Sequence, residues 1–142
     1  MRILKQTAWI VIAIHFGTAL HHSVAHQILS VKASPAQLAF IIPVIIVAPV
    51  VAAFLLQKFE KVAMVLLTAS MIGSFVFGVY YHFIADTIDH VAHVAPLEPA
   101  FWSPMFLATS YLLAISEMLG AAVGLIWLLR ASTTVSRGNP AY

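Results

Sequence analysis

Long apolar blocks separated by charged residues dominate the pattern of this chain. Asp, Glu, Lys and Arg are absent from 6–31, 33–57 and 62–85, and Glu117 is the only such residue within 99–129. A helix that crosses a bilayer needs about 20 predominantly apolar residues. Each block is long enough for one such helix and too short for two. The pattern therefore predicts transmembrane helices at 7–29, 36–57, 62–84 and 104–129.

Serine–proline pairs mark the starts of the second and fourth predicted helices. Ser34-Pro35 and Ser103-Pro104 each place an N-cap residue before a proline. Proline suits the first helical turn, where its missing N–H has no partner to lose. These pairs support helix starts near 36 and 104.

Prolines and glycines inside the apolar blocks predict the shapes of two helices. Pro43 and Pro49 lie within the second helix and predict a kink. Gly120 and Gly124 form a G-x-x-x-G pair in the fourth helix, a pattern that allows close helix contact. Small residues also recur in membrane helices without that role, so both interpretations stand at this point.

The composition supports a membrane protein and argues against several other classes of protein and kinds of site. The chain of 142 residues is 62% hydrophobic and 8% charged, whereas soluble domains carry about 25% charged residues. A net charge of +2 with scattered basic residues does not indicate nucleic-acid binding. The absence of cysteine removes disulfides, thiolate metal sites and cysteine nucleophiles. The predicted fold class is an all-α membrane protein, a four-transmembrane-helix bundle over 1–130 with a mobile cytoplasmic tail at 131–142.

Lysine and arginine predict the direction of the helices. Basic residues flank one side of the predicted bundle, at Arg2, Lys5, Lys58, Lys61, Arg130 and Arg137. The first loop on the other side has only Lys32, and the long third loop has none. By the positive-inside rule both termini are cytoplasmic, in an inner or plasma membrane.

Histidine is the unusual residue of this sequence, since seven histidines outnumber five acidic residues. Ionisable side chains within a span are rare and usually face the bundle interior or a cavity. At about 100° per residue, His15, His22 and His26 share one face of the first helix, whereas His21 points elsewhere. If the third helix continues outwards, one of its faces carries His82, Asp86, Asp89 and His93, with His90 at the margin.

Depth in the predicted bilayer brings these side chains to a common level. At a rise of about 1.5 Å per residue from the cytoplasmic charges, His26 and His82 both lie about 31 Å in. By the same count, His22 and Glu117 lie about 25 and 20 Å in, within about one helical turn of each other. Three helices therefore present ligand-type side chains in the outer half of the bundle.

Such a set predicts a transition-metal site. Imidazole nitrogen and carboxylate oxygen suit Fe, Cu or Zn, and i, i+4 spacing stacks two ligands on one helix face. Three or four ligands hold one ion, and six would allow a dinuclear centre. The candidate metal ligands are His22, His26, His82, Asp86, His90, His93 and Glu117.

Several alternatives compete with a bare metal ion. His15 fits a hydrogen-bonded packing residue, Glu117 fits a protonated carboxyl bonded to a serine, and His90 and His93 fit solvated loop residues. A b-type haem would need histidines on two helices, such as His26 with His82 or His22 with a residue of the third helix, and a chlorophyll would need one. Carboxylates are poor neighbours for a buried macrocycle, which favours the non-haem metal.

The segment His21-His22-x-x-x-His26 resembles a fragment of the histidine boxes of membrane di-iron desaturases and hydroxylases. The resemblance covers about six residues. The chain has no second box of the H-x-x-H-H type and is much shorter than those enzymes, and its cluster is predicted on the outer side rather than the cytoplasmic side. The sequence is therefore not assigned to that family.

Three functions fit such a site in a membrane bundle. The first is redox or oxygen chemistry on a lipid-soluble substrate, as an enzyme or a subunit of one. The second is a non-catalytic haem- or chlorophyll-binding subunit of a larger membrane electron-transfer complex. The third, metal or proton transport, ranks last because the inner half is nearly bare of polar residues. Expected partners are the lipid bilayer and either other membrane subunits or further copies of the chain, without nucleic acid.

Overall fold

The structure, a computed structural model, describes the backbone of residues 1–137 and the side chains up to Thr133. Four helices in this part of the chain are long and apolar enough to cross a membrane. They are Arg2–Ile28, Pro35–Leu55, Glu60–Ile84 and a fourth helix, Trp102–Arg137, whose candidate span is Trp102–Thr133. A short helix, Val91–Val94, lies in the connection between the third and fourth helices. No strand occurs among the described residues, which confirms the predicted all-helical fold.

The fourth helix is longer than the sequence pattern predicts. It continues past the expected end at 129 as far as Arg137. The first part of the predicted mobile tail, 131–137, is therefore helical, and its remainder, 138–142, lies outside the described residues.

The four helices alternate in direction, so both ends of the described chain lie at one end of the bundle. We call this the terminal end, where Lys5 forms an ion pair with Glu60, and the opposite end the loop end. The fourth helix packs along the first and the third helices, and the second helix packs along the third. The first and second helices contact each other mainly near Ala48–Leu55, at the terminal end. Towards the loop end these two helices therefore leave a gap.

Glycines bring the third and fourth helices together, as the G-x-x-x-G pattern predicts. A Cβ atom at Gly120 would lie 2.8 Å from Met71 Cγ, and one at Gly124 would collide with Thr68. Both glycines therefore face the third helix at a distance that a larger residue does not allow. This contact adjoins the apolar core of the terminal end, which includes Ala8, Ile12, Leu56, Met64, Leu67, Met71 and Trp127.

The second helix is irregular where the sequence predicts a proline kink. The segment Ile41–Val47 is π-helical, and Pro43 and Pro49 lie within and just after it. Proline has no N–H for the carbonyl one turn before it, and its ring displaces that turn. In an α-helix the carbonyl of Ile45 would accept from residue 49, so Pro49 leaves this carbonyl without its usual donor.

The third helix ends at Ile84, although the sequence pattern allowed it to continue outwards. Its last turn, Tyr80–Ile84, is π-helical, and Ala85 is extended at φ −76° and ψ 134°. The chain then turns through 85–90 before Val91–Val94 begins. Since helical register is lost at Ala85, Asp86 and His93 do not extend the face that carries His82.

Candidate metal centre

Three histidines meet inside the bundle at the loop end. His22 and His26 come from the first helix, one turn apart, and His82 comes from the π-helical turn of the third helix. One ring nitrogen from each lies within 4.8 Å of the others. The Nε2 atoms of His22 and His26 are 3.2 Å apart. His22 and His82 are buried, and His26 is half-buried.

The hydrogen bond of His22 fixes which of its nitrogens carries the proton. Its Nδ1 lies 2.9 Å from Thr109 Oγ1 on the fourth helix. The single hydroxyl proton of Thr109 points back to its own helix, where the carbonyls of Met105 and Phe106 lie 2.8 and 3.0 Å away. The hydroxyl oxygen therefore accepts from His22 Nδ1–H, and His22 Nε2 is left with a lone pair.

His26 is fixed in the same way by the end of its own helix. Its Nδ1 donates to the carbonyl of Val31 at 2.8 Å. Val31 reaches this position because Ser30 has a left-handed φ of 57° and the Val31 N–H bonds back to the carbonyl of His26 at 3.0 Å. This is a Schellman-type helix end, which reverses the chain over its last turn.

His82 completes the pattern through the connection that follows the third helix. Its Nδ1 donates to the backbone carbonyl of Asp89 at 3.1 Å. The Asp89 side chain is buried, and its Oδ2 accepts from Gln37 Nε2 at 2.8 Å. Gln37 is held in turn by a capping box with Ser34 at the start of the second helix. The second helix thus positions the carbonyl that orients His82.

These bonds give all three rings the same orientation. His26 and His82 donate Nδ1–H to carbonyls, which only accept, and His22 donates to the Thr109 hydroxyl oxygen, so each neutral imidazole carries its proton on Nδ1 and turns the lone pair of Nε2 inwards. Three lone pairs that face one another could bind a metal ion placed between them. Two nitrogens bound to one tetrahedral zinc at about 2.0–2.1 Å are about 3.3 Å apart, which matches the 3.2 Å between His22 and His26.

The structure brings together only part of the predicted ligand set. The carboxylate of Asp86 pairs with His93 Nε2 at 3.2 Å, and both side chains are exposed. His90 Nδ1 accepts from the N–H of Ala92 and caps the short helix Val91–Val94. These three residues belong to the connection and lie outside the group of converging nitrogens.

Glu117 and the other histidines of the first helix also lie apart from the converging nitrogens. Glu117 is buried, and its Oε1 is 3.7 Å from Nδ1 of His15. His21 is exposed, and its Nδ1 is hydrogen-bonded to the carbonyl of Gly17 at 2.9 Å, within its own helix. As predicted, His21 points away from the face that carries His22 and His26.

Three contributors to the centre were not identified from the sequence. Thr109 and the Val31 carbonyl orient His22 and His26, and Phe106 packs against all three imidazoles at 4.6–5.3 Å between ring centroids. Phe106 and Thr109 are three residues apart on the fourth helix, so they share a face. That face could have been read as bundle-facing, but nothing in its residue types indicates a metal site.

A cavity of about 450 Å³ opens beside the three histidines. It follows the gap between the first and second helices and reaches Glu117 towards the terminal end. One wall consists of aliphatic side chains of the second helix, Leu38, Ile41, Ile42, Ile45 and Ile46. Polar lining residues such as Ser74, Asp89 and Glu117 come from the other helices and the connection, so the cavity is apolar on the side of the second helix and partly polar elsewhere.

The three imidazole rings pack against one another and against Phe106. The His22 ring lies 4.7 Å from His26 and 4.9 Å from His82 between centroids, with the planes at 81° and 76°. The rings of His26 and His82, the two histidines on different helices that a b-type haem would use, are 6.0 Å apart between centroids. The haem alternative stays a prediction.

Comparison with known protein families, curated proteins and solved structures finds no match to this chain.

Proposed function

We propose that this chain is an integral membrane protein that binds one transition-metal ion through Nε2 of His22, His26 and His82. The observation that carries the proposal is the engagement of all three Nδ1 atoms with oxygen acceptors. A proton can bridge only two of the three inward nitrogens, whereas a metal ion accepts all three. Outer hydrogen bonds that fix the ring orientation are typical of histidine metal ligands.

The ligand set defines the kind of ion and its reactivity. Imidazole nitrogens suit Cu, Zn, Fe and Ni better than Mg or Ca. Three protein ligands leave a further coordination position open, as in catalytic rather than structural sites. Three neutral ligands also leave the positive charge of the ion undiminished, so it can polarise or exchange electrons with a molecule in the cavity.

The surroundings of the site favour redox or oxygen chemistry on a lipid-soluble substrate. The aliphatic wall of the cavity accommodates an apolar molecule, and the gap between the first and second helices gives it a route from the bilayer. The distribution of lysine and arginine supports a loop end, and a metal site with it, on the outer side of the membrane. These features support an enzyme or an enzyme subunit over a transporter, since Met64, Leu67 and Met71 fill the bundle below the cavity.

Metal analysis of the purified protein tests the binding proposal. We expect about one Cu, Fe or Zn ion per chain and no Soret band in the absorption spectrum. His22→Ala and His82→Ala should each lose most of the metal, because only two of the three protein ligands would remain. His21→Ala is the matched control, since His21 lies on the same helix but is exposed, and it should keep the parental metal content. Equal losses in all three variants, or a Soret band, would contradict the proposal.

A second measurement addresses the redox part separately. Protein loaded with Cu²⁺ should be reduced by a lipid-soluble hydroquinone in detergent micelles, with loss of the Cu²⁺ electron paramagnetic resonance signal. His21→Ala should behave as the parent. A site that holds only Zn²⁺, or a Cu²⁺ signal that persists, would remove the redox role and leave the metal site standing.

A further inference from the structure

A second polar cluster borders the same cavity, towards the terminal end from the three histidines. His15, Ser74 and Glu117 come from the first, third and fourth helices, and their exposed fractions are 0%, 0% and 3%. Ser74 and Glu117 line the cavity, and His15 contacts Glu117. Three helices thus contribute polar side chains at one level in an otherwise apolar interior.

The hydrogen bonding of His15 leaves one of its nitrogens available to a ligand. Its Nε2 donates to the carbonyl of Ile45 at 3.1 Å, which is the carbonyl deprived of its helical donor by Pro49. In the neutral ring Nδ1 is therefore an acceptor. Among the described residues Nδ1 has no hydrogen-bond partner, since Glu117 Oε1 at 3.7 Å is beyond hydrogen-bond reach. An oxygen placed between these two atoms could bond to both.

Ser74 is the second side chain in this cluster with unused hydrogen-bonding capacity. Its Oγ is buried and has no hydrogen-bond partner among the described residues. The buried serines Ser70, Ser110 and Ser116 bond back to carbonyls of their own helices, at 2.8–3.2 Å. A Cβ at Gly78, one turn along the third helix, would lie 3.8 Å from Glu117 Oε2, in ordinary van der Waals contact, so the Glu117 carboxyl reaches the third helix close to Ser74.

Distance along the helices relates this cluster to the metal centre. His15 and His22 are separated by about 10 Å along the first helix, and Ser74 and His82 by about 12 Å along the third. Of this separation, a metal–oxygen bond at one end would take up about 2 Å and a hydrogen bond at the other end about 2.8 Å. About 6 Å would then remain between the two oxygens of a molecule that bridges the two sites. Two oxygens on opposite sides of one six-membered ring are separated by a similar distance.

We infer that His15, Ser74 and Glu117 form a second binding site for a hydroxyl group of a lipid-soluble ligand of the hydroquinone class, whose other oxygen reaches the metal. The second half of this inference rests on the proposed metal site, and the first half does not. The ligand hydroxyl donates to His15 Nδ1 or to Glu117 and accepts from Ser74. The ring and its substituents lie against the aliphatic wall formed by the second helix.

The test is a pair of matched probes and the full chain in detergent. The probes are 2,3,5-trimethylhydroquinone, with two hydroxyls, and 2,3,5-trimethylphenol, with one, measured by calorimetry under anaerobic conditions. The metal-free protein should bind both similarly, through the second site. Loading with Zn²⁺, which does not oxidise the probe, should tighten binding of the hydroquinone at least tenfold and change binding of the phenol less than twofold. An equal response of both probes to Zn²⁺ would overturn the bridged arrangement.

Variants separate the two sites. Ser74→Ala and Glu117→Gln should each weaken binding of the phenol to the metal-free protein about tenfold, while one Zn²⁺ per chain is retained. Ser116→Ala is the control, because Ser116 is buried beside Glu117 in sequence but its hydroxyl bonds to the carbonyl of Leu113. Unchanged affinity in Ser74→Ala and Glu117→Gln would overturn the second site and leave the metal site intact. Loss of Zn²⁺ from the Glu117→Gln variant would also overturn the second site, because it would show that Glu117 is a metal ligand. Parental protein that binds the phenol but no metal would overturn the proposed function and leave the second site standing.

Discussion

The Nε2 atoms of His22 and His26 lie 3.2 Å apart, and both rings are held by hydrogen bonds at Nδ1 on their far sides. The i, i+4 spacing brings the two rings together, but it does not determine which nitrogens face each other. That choice is made by Thr109 and by the carbonyl of Val31. The orientation of the rings is therefore set by groups outside the cluster of facing nitrogens, and these groups give the sharpest tests of the proposed metal site.

Thr109→Val replaces the hydroxyl by a methyl group of similar size and removes the acceptor for His22 Nδ1–H. The ring is then free to turn, and loss of such an outer partner lowers metal affinity about 10–100-fold. Competition with a Zn²⁺ chelator measures the change. Thr68→Val is the control, since Thr68 is also buried and bonds to the carbonyl four residues earlier, at 2.7 Å, but lies away from the centre. Equal losses in both variants would indicate a general effect on the helices.

The sequence predicts the helices and one pair of ligands because both depend on local properties. Apolar length alone defines a spanning helix, and periodicity alone places His22 above His26 on one face. The prediction that His82 reaches the same level needs only a count along the third helix. All three inferences survive errors of one or two residues at helix ends.

The rest of the site depends on features that no local pattern specifies. A face shared by His82, Asp86 and His93 requires a continuous helix, which the π-helical turn and the extended Ala85 interrupt. The depth count brings Glu117 to within about one turn of His22, but the helices pack so that Glu117 lies beside His15, about two turns before His22. Thr109, about two turns from Glu117, lies beside His22 instead.

Gln37→Leu tests the support of His82 by the second helix. The change removes the donor to Asp89 Oδ2 and leaves a buried carboxylate without its partner, which costs about 1–3 kcal/mol or more. We expect a lower melting temperature together with weaker metal binding, because the Asp89 carbonyl orients His82. Ser34→Ala removes the serine side of the same capping box and should cost about 1 kcal/mol of stability with unchanged metal affinity. Equal metal affinity in the two variants would show that Asp89 does not need Gln37 to hold His82.

Alanine substitutions at three glycines test the packing of the third helix against the fourth. Gly124→Ala should destabilise most, by about 1–3 kcal/mol, because the new methyl group collides with Thr68 and lies 3.3 Å from the Met64 backbone carbonyl. Gly120→Ala should cost less, since it meets the flexible side chain of Met71. Gly17→Ala is the control, with nothing within 4 Å of the added atom, and should not destabilise. Thermal unfolding in detergent gives the order, and a destabilised Gly17→Ala variant would contradict this account.

Single-cysteine labelling decides on which side of the membrane the metal centre lies. The chain has no cysteine, so Ala95→Cys and Phe59→Cys each introduce one thiol, at exposed positions of opposite ends of the bundle. Since Val31 and Asp89, which orient His26 and His82, both belong to connections at the loop end, the side that labels Ala95→Cys is also the side of the metal. The basic residues predict that a membrane-impermeant maleimide modifies Ala95→Cys on intact cells and Phe59→Cys only after permeabilisation. The opposite pattern would put the three histidines on the cytoplasmic side, where metal would have to come from the cytosol rather than from outside the cell.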